Sequence, residues 1–105
     1  MARIEDGRLA WAEGVLDDTG TLTIVLSGEI DIASADGVKR DMQPFLGAAP
    51  DRVVFDLQKL AFMDSSGIAL LVQTANRFEA VEVRNPAPNV RRILEATGLA
   101  EKFGL

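Results

Sequence analysis

The stretch that most constrains this chain runs from Val53 to Val72, Val-Val-Phe-Asp-Leu-Gln-Lys-Leu-Ala-Phe-Met-Asp-Ser-Ser-Gly-Ile-Ala-Leu-Leu-Val. Val53, Val54, Phe55 and Leu57 form a short apolar run rich in β-formers, the pattern of a strand covered on both faces. A crossing loop follows, and then the period changes. Ile68, Leu71, Val72, Ala75 and Phe78 recur at helical spacing, so a helix begins near Ser65. Asp64, Ser65 and Ser66 each carry an oxygen that can accept from the orphan N–H groups of a first turn. If Asp64 is the N-cap, Met63 and Ile68 occupy the two positions of a hydrophobic staple. If Ser65 is the cap, the staple is lost and the capping chemistry survives. Either way a serine hydroxyl sits at the positive end of a helix, on a loop that leaves a buried strand.

Upstream, Leu9 and Trp11 alternate with smaller residues, Asp17-Asp18-Thr19-Gly20 makes a turn, and Thr21 to Leu26 is rich in β-branched residues. This predicts a β-hairpin. Trp11 is read as core or sheet-face packing, an aromatic anchor for a partner being the other role open to it. Ser27 to Asp31 ends the strand. A helix follows, with Ala35, Val38, Met42, Phe45 and Leu46 on one stripe, Ser34 as candidate cap and Gly47 as candidate C′ residue. Pro44 removes one helical hydrogen bond, so a kink or a last turn that is not α-helical is expected. Downstream, Val81 and Val83 point inward between Glu82 and Arg84, a strand with one wet face. Asn85-Pro86-Ala87-Pro88 then starts a third helix that buries Val90, Ile93 and Leu94. Gly98 closes that helix with Leu99 as its hydrophobic contact, and Leu99 to Leu105 has room only for a terminal turn.

The order β-β-α-β-α-β-α predicts a single α/β domain over residues 1–105. Its sheet would be mixed, mostly parallel and four-stranded, with helices mainly on one face. Parallel strands deliver their following loops to one edge, the usual place for ligand and partner sites. That edge would collect Glu29 to Ala33, Gln58 to Ser66 and Asn85 to Pro88, and so place Asp31, Asp64 and Ser65 near one another.

Composition narrows the function. At 105 residues the chain can build one core, and its net charge of −5 disfavours nucleic acid and anionic membranes, which ask for a basic patch. It has no cysteine and no histidine. That excludes a disulfide frame, argues against a zinc or other metal site, and leaves a nucleophilic serine without its customary base. Lys39 and Lys59 read as solvated surface, and Asp31 with Asp64 as loop caps rather than an acid–base pair. No phosphate-cradling glycine loop is present, so no cofactor is expected. No apolar run reaches membrane length and no secretory h-region opens the chain, so the expected placement is the cytoplasm.

Three blocks carry a family resemblance: Leu-Ser-Gly-Glu-Ile-Asp (26 to 31), the run from Leu57 to Leu71 around Met-Asp-Ser-Ser-Gly-Ile (63 to 68), and Asn-Pro-Ala-Pro-Asn-Val-Arg-Arg-Ile-Leu-Glu-Ala-Thr-Gly-Leu (85 to 99). Together they resemble a STAS domain, and most closely the bacterial anti-sigma-factor antagonists. The resemblance implies a binding module and not an enzyme. Ser65 would be phosphorylated by a partner anti-sigma factor that is itself an ATP-dependent serine kinase, and a PP2C-type phosphatase would reset it. The unphosphorylated form would bind the anti-sigma factor and free a sigma factor. Asp64, Asp31 and Ser66 would order the site. Ser65, Ser66, Gly67, Gln73 and Arg77, on the exposed side of the helix, would meet the partner. Some family members are linked to nucleotide binding, for which this sequence shows no pocket. The chain departs from antagonists in a tight connection at Asn76 to Ala80 and in stopping at Leu105. It is therefore expected to be a minimal member, or one whose exposed surface a partner covers. A short STAS subunit of a bacterial ABC-type lipid transporter, with Ser65 as a plain cap, is the competing expectation.

Overall fold

The computed structural model of the chain describes residues 7–105. The elements are β1 (Ala10–Leu16), β2 (Thr21–Ile30), α1 (Ala35–Leu46), β3 (Arg52–Asp56), β4 (Leu60–Met63), α2 (Ser65–Arg77), β5 (Ala80–Arg84) and α3 (Pro88–Ala96). They form one mixed α/β sheet with three helices, the expected class with one strand more than the sequence reading counted. β2 is its hub. It pairs antiparallel with β1 from Leu22 to Gly28, parallel with β3 from Thr21 to Val25, and parallel with β4 from Gly28 to Ile30. β5 lies parallel on the other side of β3.

β4 corrects the expectation of a plain crossing loop. Its four residues run in-out-out-in: Leu60 and Met63 are buried while Ala61 and Phe62 are exposed. That matches neither the strand nor the helix period, so no pattern announces it. The strand exists because β2 does not end at Leu26. It continues through Gly28, where the register shifts, and its last residues take β4 as partner. Gly28 has φ +92°, and a Cβ there would lie 1.9 Å from the Leu9 carbonyl oxygen. Only glycine permits both the conformation and the approach.

All three helices bury one face against the same side of the sheet. Leu22, Ile24 and Leu26 of β2, Val53 and Phe55 of β3 and Val83 of β5 form a single core with Val38, Met42 and Leu46 of α1, Leu70 and Leu71 of α2, and Val90 and Leu94 of α3. The other face is partly wet. Thr21, Thr23 and Val25 are half-buried there, and Glu82 pairs with both Arg52 and Arg84. Trp11 falls on that face by alternation, beside Ser27, and is buried as sheet-face packing.

Several ends differ from expectation. α1 stays helical through Pro44, and Gly47 is right-handed at φ −65°. The N–H groups of Ala48 and Ala49 bond three residues back, to Phe45 and Leu46. The chain therefore tightens past the helix, and Ala49, at φ 54°, takes the left-handed position instead of Gly47. Of the expected α2 stripe, Leu71 is buried and Ile68, Ala75 and Phe78 pack against the core, but the deepest face also takes in Gly67, Leu70 and Thr74, which the stripe did not include. Apolar residues run unbroken from Gly67 to Val72, so periodicity alone leaves the inward direction open. α3 ends as expected. Gly98 donates to Glu95 and Leu99 to Leu94 at 3.1 and 2.9 Å, a Schellman closure. The terminal turn does more than finish the chain: Phe103 is fully buried in the core, and its carbonyl accepts from Val83 N–H at 2.9 Å on the outer edge of β5. Among the described residues no helix is long and apolar enough to cross a membrane.

Candidate functional site

Asp64 is the N-cap of α2. Its backbone is extended and its carboxylate accepts from Ser66 N–H at 2.8 Å, which decides between the two capping schemes. Met63 and Ile68 therefore hold the staple positions, Met63 fully buried and Ile68 packed against the core. Gly67 lets this start approach β4, since a Cβ there would stand 2.7 Å from Met63 Cβ. The first turn of α2 is thus seated on β4 from below and capped from the side.

Ser65 occupies the first helical position and is exposed. Among the described residues its hydroxyl has no hydrogen-bond partner. The cap is supplied entirely by Asp64, so Ser65 is spared structural duty and faces solvent at the positive end of the helix.

The second loop comes from β2. Asp31 Oδ1 accepts from Ala33 N–H at 2.9 Å and Ser34 N–H at 3.0 Å. Ser34 Oγ accepts from Asp31 N–H at 3.0 Å and reaches the Glu29 carbonyl at 3.0 Å. Ser34 was expected to cap α1 with its side chain; instead its hydroxyl is spent on this knot, no side chain caps the helix, and the Asp31 backbone carbonyl takes the Ala35 N–H at 2.9 Å. Asp31 therefore orders its own loop.

The two loops meet, as the connectivity predicted. Ile30 and Met63 are register neighbours, and Asp64 N–H donates to the Ile30 carbonyl at 3.1 Å. The third loop stands back. Asn85 reaches Asp56 at the end of β3 at 3.3 Å, and Asn89 reaches the Ala61 carbonyl at 3.0 Å. β2 and β4 extend beyond β3 and β5, so they carry Asp31 and Asp64 past the Asn85 turn.

From this meeting point a groove runs between α1 and α2. At the Ser65 end it is a depression of about 260 Å³ bordered by Ile32, Asp36 and Lys39 on one side and by Ser66 and Gln73 on the other. Farther along, Gln43, Thr74 and Arg77 border a second one of about 150 Å³. Ser65, Gln73 and Arg77 are exposed and Ser66 is half-buried, so they share an accessible side. Gly67 does not belong there: it is buried against Met63 and contributes packing rather than surface. Sequence reasoning missed Ile32, which is 83 % exposed. The sequence places Ile32 in the Glu29 to Ala33 loop without saying which way it points, and the Asp31–Ser34 knot holds the loop from which it stands outward.

The chemistry of the site is that of an exposed serine hydroxyl at a helix start. Among the described residues no basic side chain is hydrogen-bonded to Ser65, and Lys39 and Lys59 are exposed. Among the described residues no group of three or more acidic, histidine or cysteine side chains could hold a metal ion.

The profile of the STAS domain matches residues 15–105. An anti-sigma F factor antagonist from Lysinibacillus sphaericus is 32% identical over 85 residues, covering 75% of this chain and 72% of that protein. The crystal structure of an anti-sigma factor antagonist from Mycobacterium paratuberculosis superposes with a TM-score of 0.81 at 26% identity, over 91% of this chain and 84% of the other. The anti-sigma factor antagonist SpoIIAA in its unphosphorylated form gives 0.71 at 24% identity, over 86% and 83%. The last likeness speaks for the fold; the profile and the Lysinibacillus relative speak for descent. This chain belongs to the STAS-domain family, and within it resembles the anti-sigma-factor antagonists.

Proposed function

We propose that this protein is an anti-sigma-factor antagonist that works as a phosphorylation-controlled binding module. Its unphosphorylated form binds an anti-sigma factor that is also a serine kinase, and a sigma factor is released. Phosphorylation of Ser65 ends that binding, and a PP2C-type phosphatase restores it. The setting is the cytoplasm, where a sigma factor acts. The observation that carries this reading is Ser65 itself: an exposed hydroxyl at the first position of α2, relieved of capping by Asp64 and set where two loops meet. The relatives' shared name supports the general role.

The physics of the switch is asymmetric. A phosphate adds nearly two negative charges and three acceptor oxygens. At the N-terminus of α2 the helix field favours it by about 0.3–1 kcal/mol, while Asp64 and Asp31 oppose it. The fold is therefore indifferent to the modification. In an interface the same dianion, left without a matching cation, costs several kcal/mol, and about 4 kcal/mol is a thousandfold in affinity. Ser65, Ser66, Gln73 and Arg77 make up the contacting side in this reading, and Asp31 and Asp64 hold the two loops in place.

The test is capture from native lysate with wild type, Ser65→Ala and Ser65→Asp as baits, read by mass spectrometry. A small kinase-like protein retained by the first two and lost by Ser65→Asp is expected. Equal retention by all three, or equal capture of an ATPase and permease, would overturn the switch and leave Ser65 a helix-end residue of a transporter subunit.

A further inference from the structure

The most exposed large apolar side chain among the described residues is Ile32, 83 % accessible in the loop between β2 and α1. A single exposed isoleucine is ordinary on a protein surface. Its setting is not. The residue on its N-terminal side, Asp31, is locked from both directions: its carboxylate holds the N–H groups of Ala33 and Ser34, and Ser34 Oγ holds its own N–H, all within 3.0 Å. Ile32 therefore projects from a loop whose backbone is already ordered. A side chain displayed this way loses little further freedom when a partner covers it, so more of the burial energy is left as affinity. It also borders the same depression as Ser66, immediately after the phosphoacceptor. Any kinase that brings a phosphoryl donor to Ser65 must cover this ground.

We propose that Ile32 is the apolar anchor of the interface with the anti-sigma factor, inserting into an apolar pocket of that protein next to the site where Ser65 is engaged. The inference rests on the antagonist reading above. The occupant is argued from continuity with the groove beside Ser65. Ile32 borders the same depression as Ser66 and Gln73, with Asp36 and Lys39 as its charged rim, so the receiving surface is apolar at its centre and polar around it. Buried apolar anchors ringed by polar contacts are where interface energy concentrates.

The test uses the full chain and the purified kinase retained by the wild-type bait, with binding measured by titration calorimetry and phosphorylation by steady-state kinetics. Ile32→Ala is expected to weaken binding about tenfold or more and to raise the kinase's KM for this protein with kcat unchanged, while Ile32→Leu restores both. The melting temperature of Ile32→Ala should match wild type, because the side chain touches solvent. Binding by Ile32→Ala within about twofold of wild type, with Ser65→Asp still defective, overturns the anchor and leaves the switch standing. A marked fall in melting temperature makes Ile32 structural and also overturns it. Concentration-dependent self-association of wild type that Ile32→Ala abolishes assigns the surface to a second copy and overturns it. Failure of wild type to bind any kinase removes the antagonist reading, and the anchor with it.

Discussion

Single residues decide where this backbone can go. Gly28 lets β2 change partners, because its positive φ and the approach of the Leu9 carbonyl exclude any side chain. Gly28→Ala is expected to cost more than about 2 kcal/mol in urea unfolding, combining left-handed strain with a backbone displacement. A stability within error of wild type would show that the strand can relax around the methyl group. Asp17 marks the hairpin in a different way. The Thr19 hydroxyl bonds its carboxylate at 2.6 Å, and the N–H groups of Thr21 and Thr19 add to it, so the group is held below the ordinary carboxylate value. A depressed folded value means stability that is present above the unfolded carboxylate range and is lost as pH falls through the folded value. Asp17→Asn should therefore lower neutral-pH stability slightly and flatten a small part of the acid limb of a stability–pH curve, the variant and wild type converging at low pH. An unaltered acid limb would remove Asp17 from the account. At the site, Ser65 and Asp64 divide their labour: the carboxylate caps the helix, and the serine hydroxyl is left facing solvent.

At the scale of elements, stability rests on short pieces seated by a few deep contacts. α2 is fastened at its start by the Asp64 cap and by Gly67 against Met63. The turn after α3 is fastened by Phe103, which is fully buried and whose carbonyl takes the Val83 N–H from the edge of β5. Phe103→Ala should cost about 3–5 kcal/mol, the usual range for removing a buried aromatic. It should also raise amide exchange first in β5 and the terminal turn. A loss below about 1 kcal/mol would mean that the turn is an ornament on a core complete without it. The Asp31–Ser34 knot plays the matching part for the loop between β2 and α1, which is why Ile32 is displayed rather than folded inward.

For the molecule as a whole, the consequence is that Ser65 stands apart from the packed core. Core and helices lie on one side of the sheet, while Ser65 and the loop of Asp31 sit together at one end of it. Phosphorylating Ser65 adds charge at an exposed helix start and touches none of the core. Protein phosphorylated at Ser65 is expected to melt within about 2 °C of the unmodified form, from the small helix-field energy. Its amide exchange should change only in the first turn of α2 and the β2–α1 loop. Widespread exchange changes would replace the picture of blocked binding with one of altered fold.

Much of this protein was legible before any fold was known. The apolar run at Val53, the helix start at Asp64 or Ser65, the closure at Gly98, the hairpin turn at Asp17 and the alternation of fold elements are local patterns, and local physics produces them wherever the chain lies. The nearness of Asp31 to Ser65 also followed, because parallel strands send their loops to one edge. What stayed hidden depends on partners distant in sequence. β4 is a strand only because the register shift at Gly28 offers it an edge. Gly67 is buried only because Met63 stands under it, and α2 turns Leu70 and Thr74 inward only because the sheet receives that face. Ile32 falls in a loop whose sequence does not say which way an apolar side chain points, and only the folded Asp31–Ser34 knot shows it standing to solvent. Sequence determines which backbone conformations each segment prefers; burial and exposure of a given side chain are settled by what the rest of the chain brings against it, and that exists only once the chain has folded.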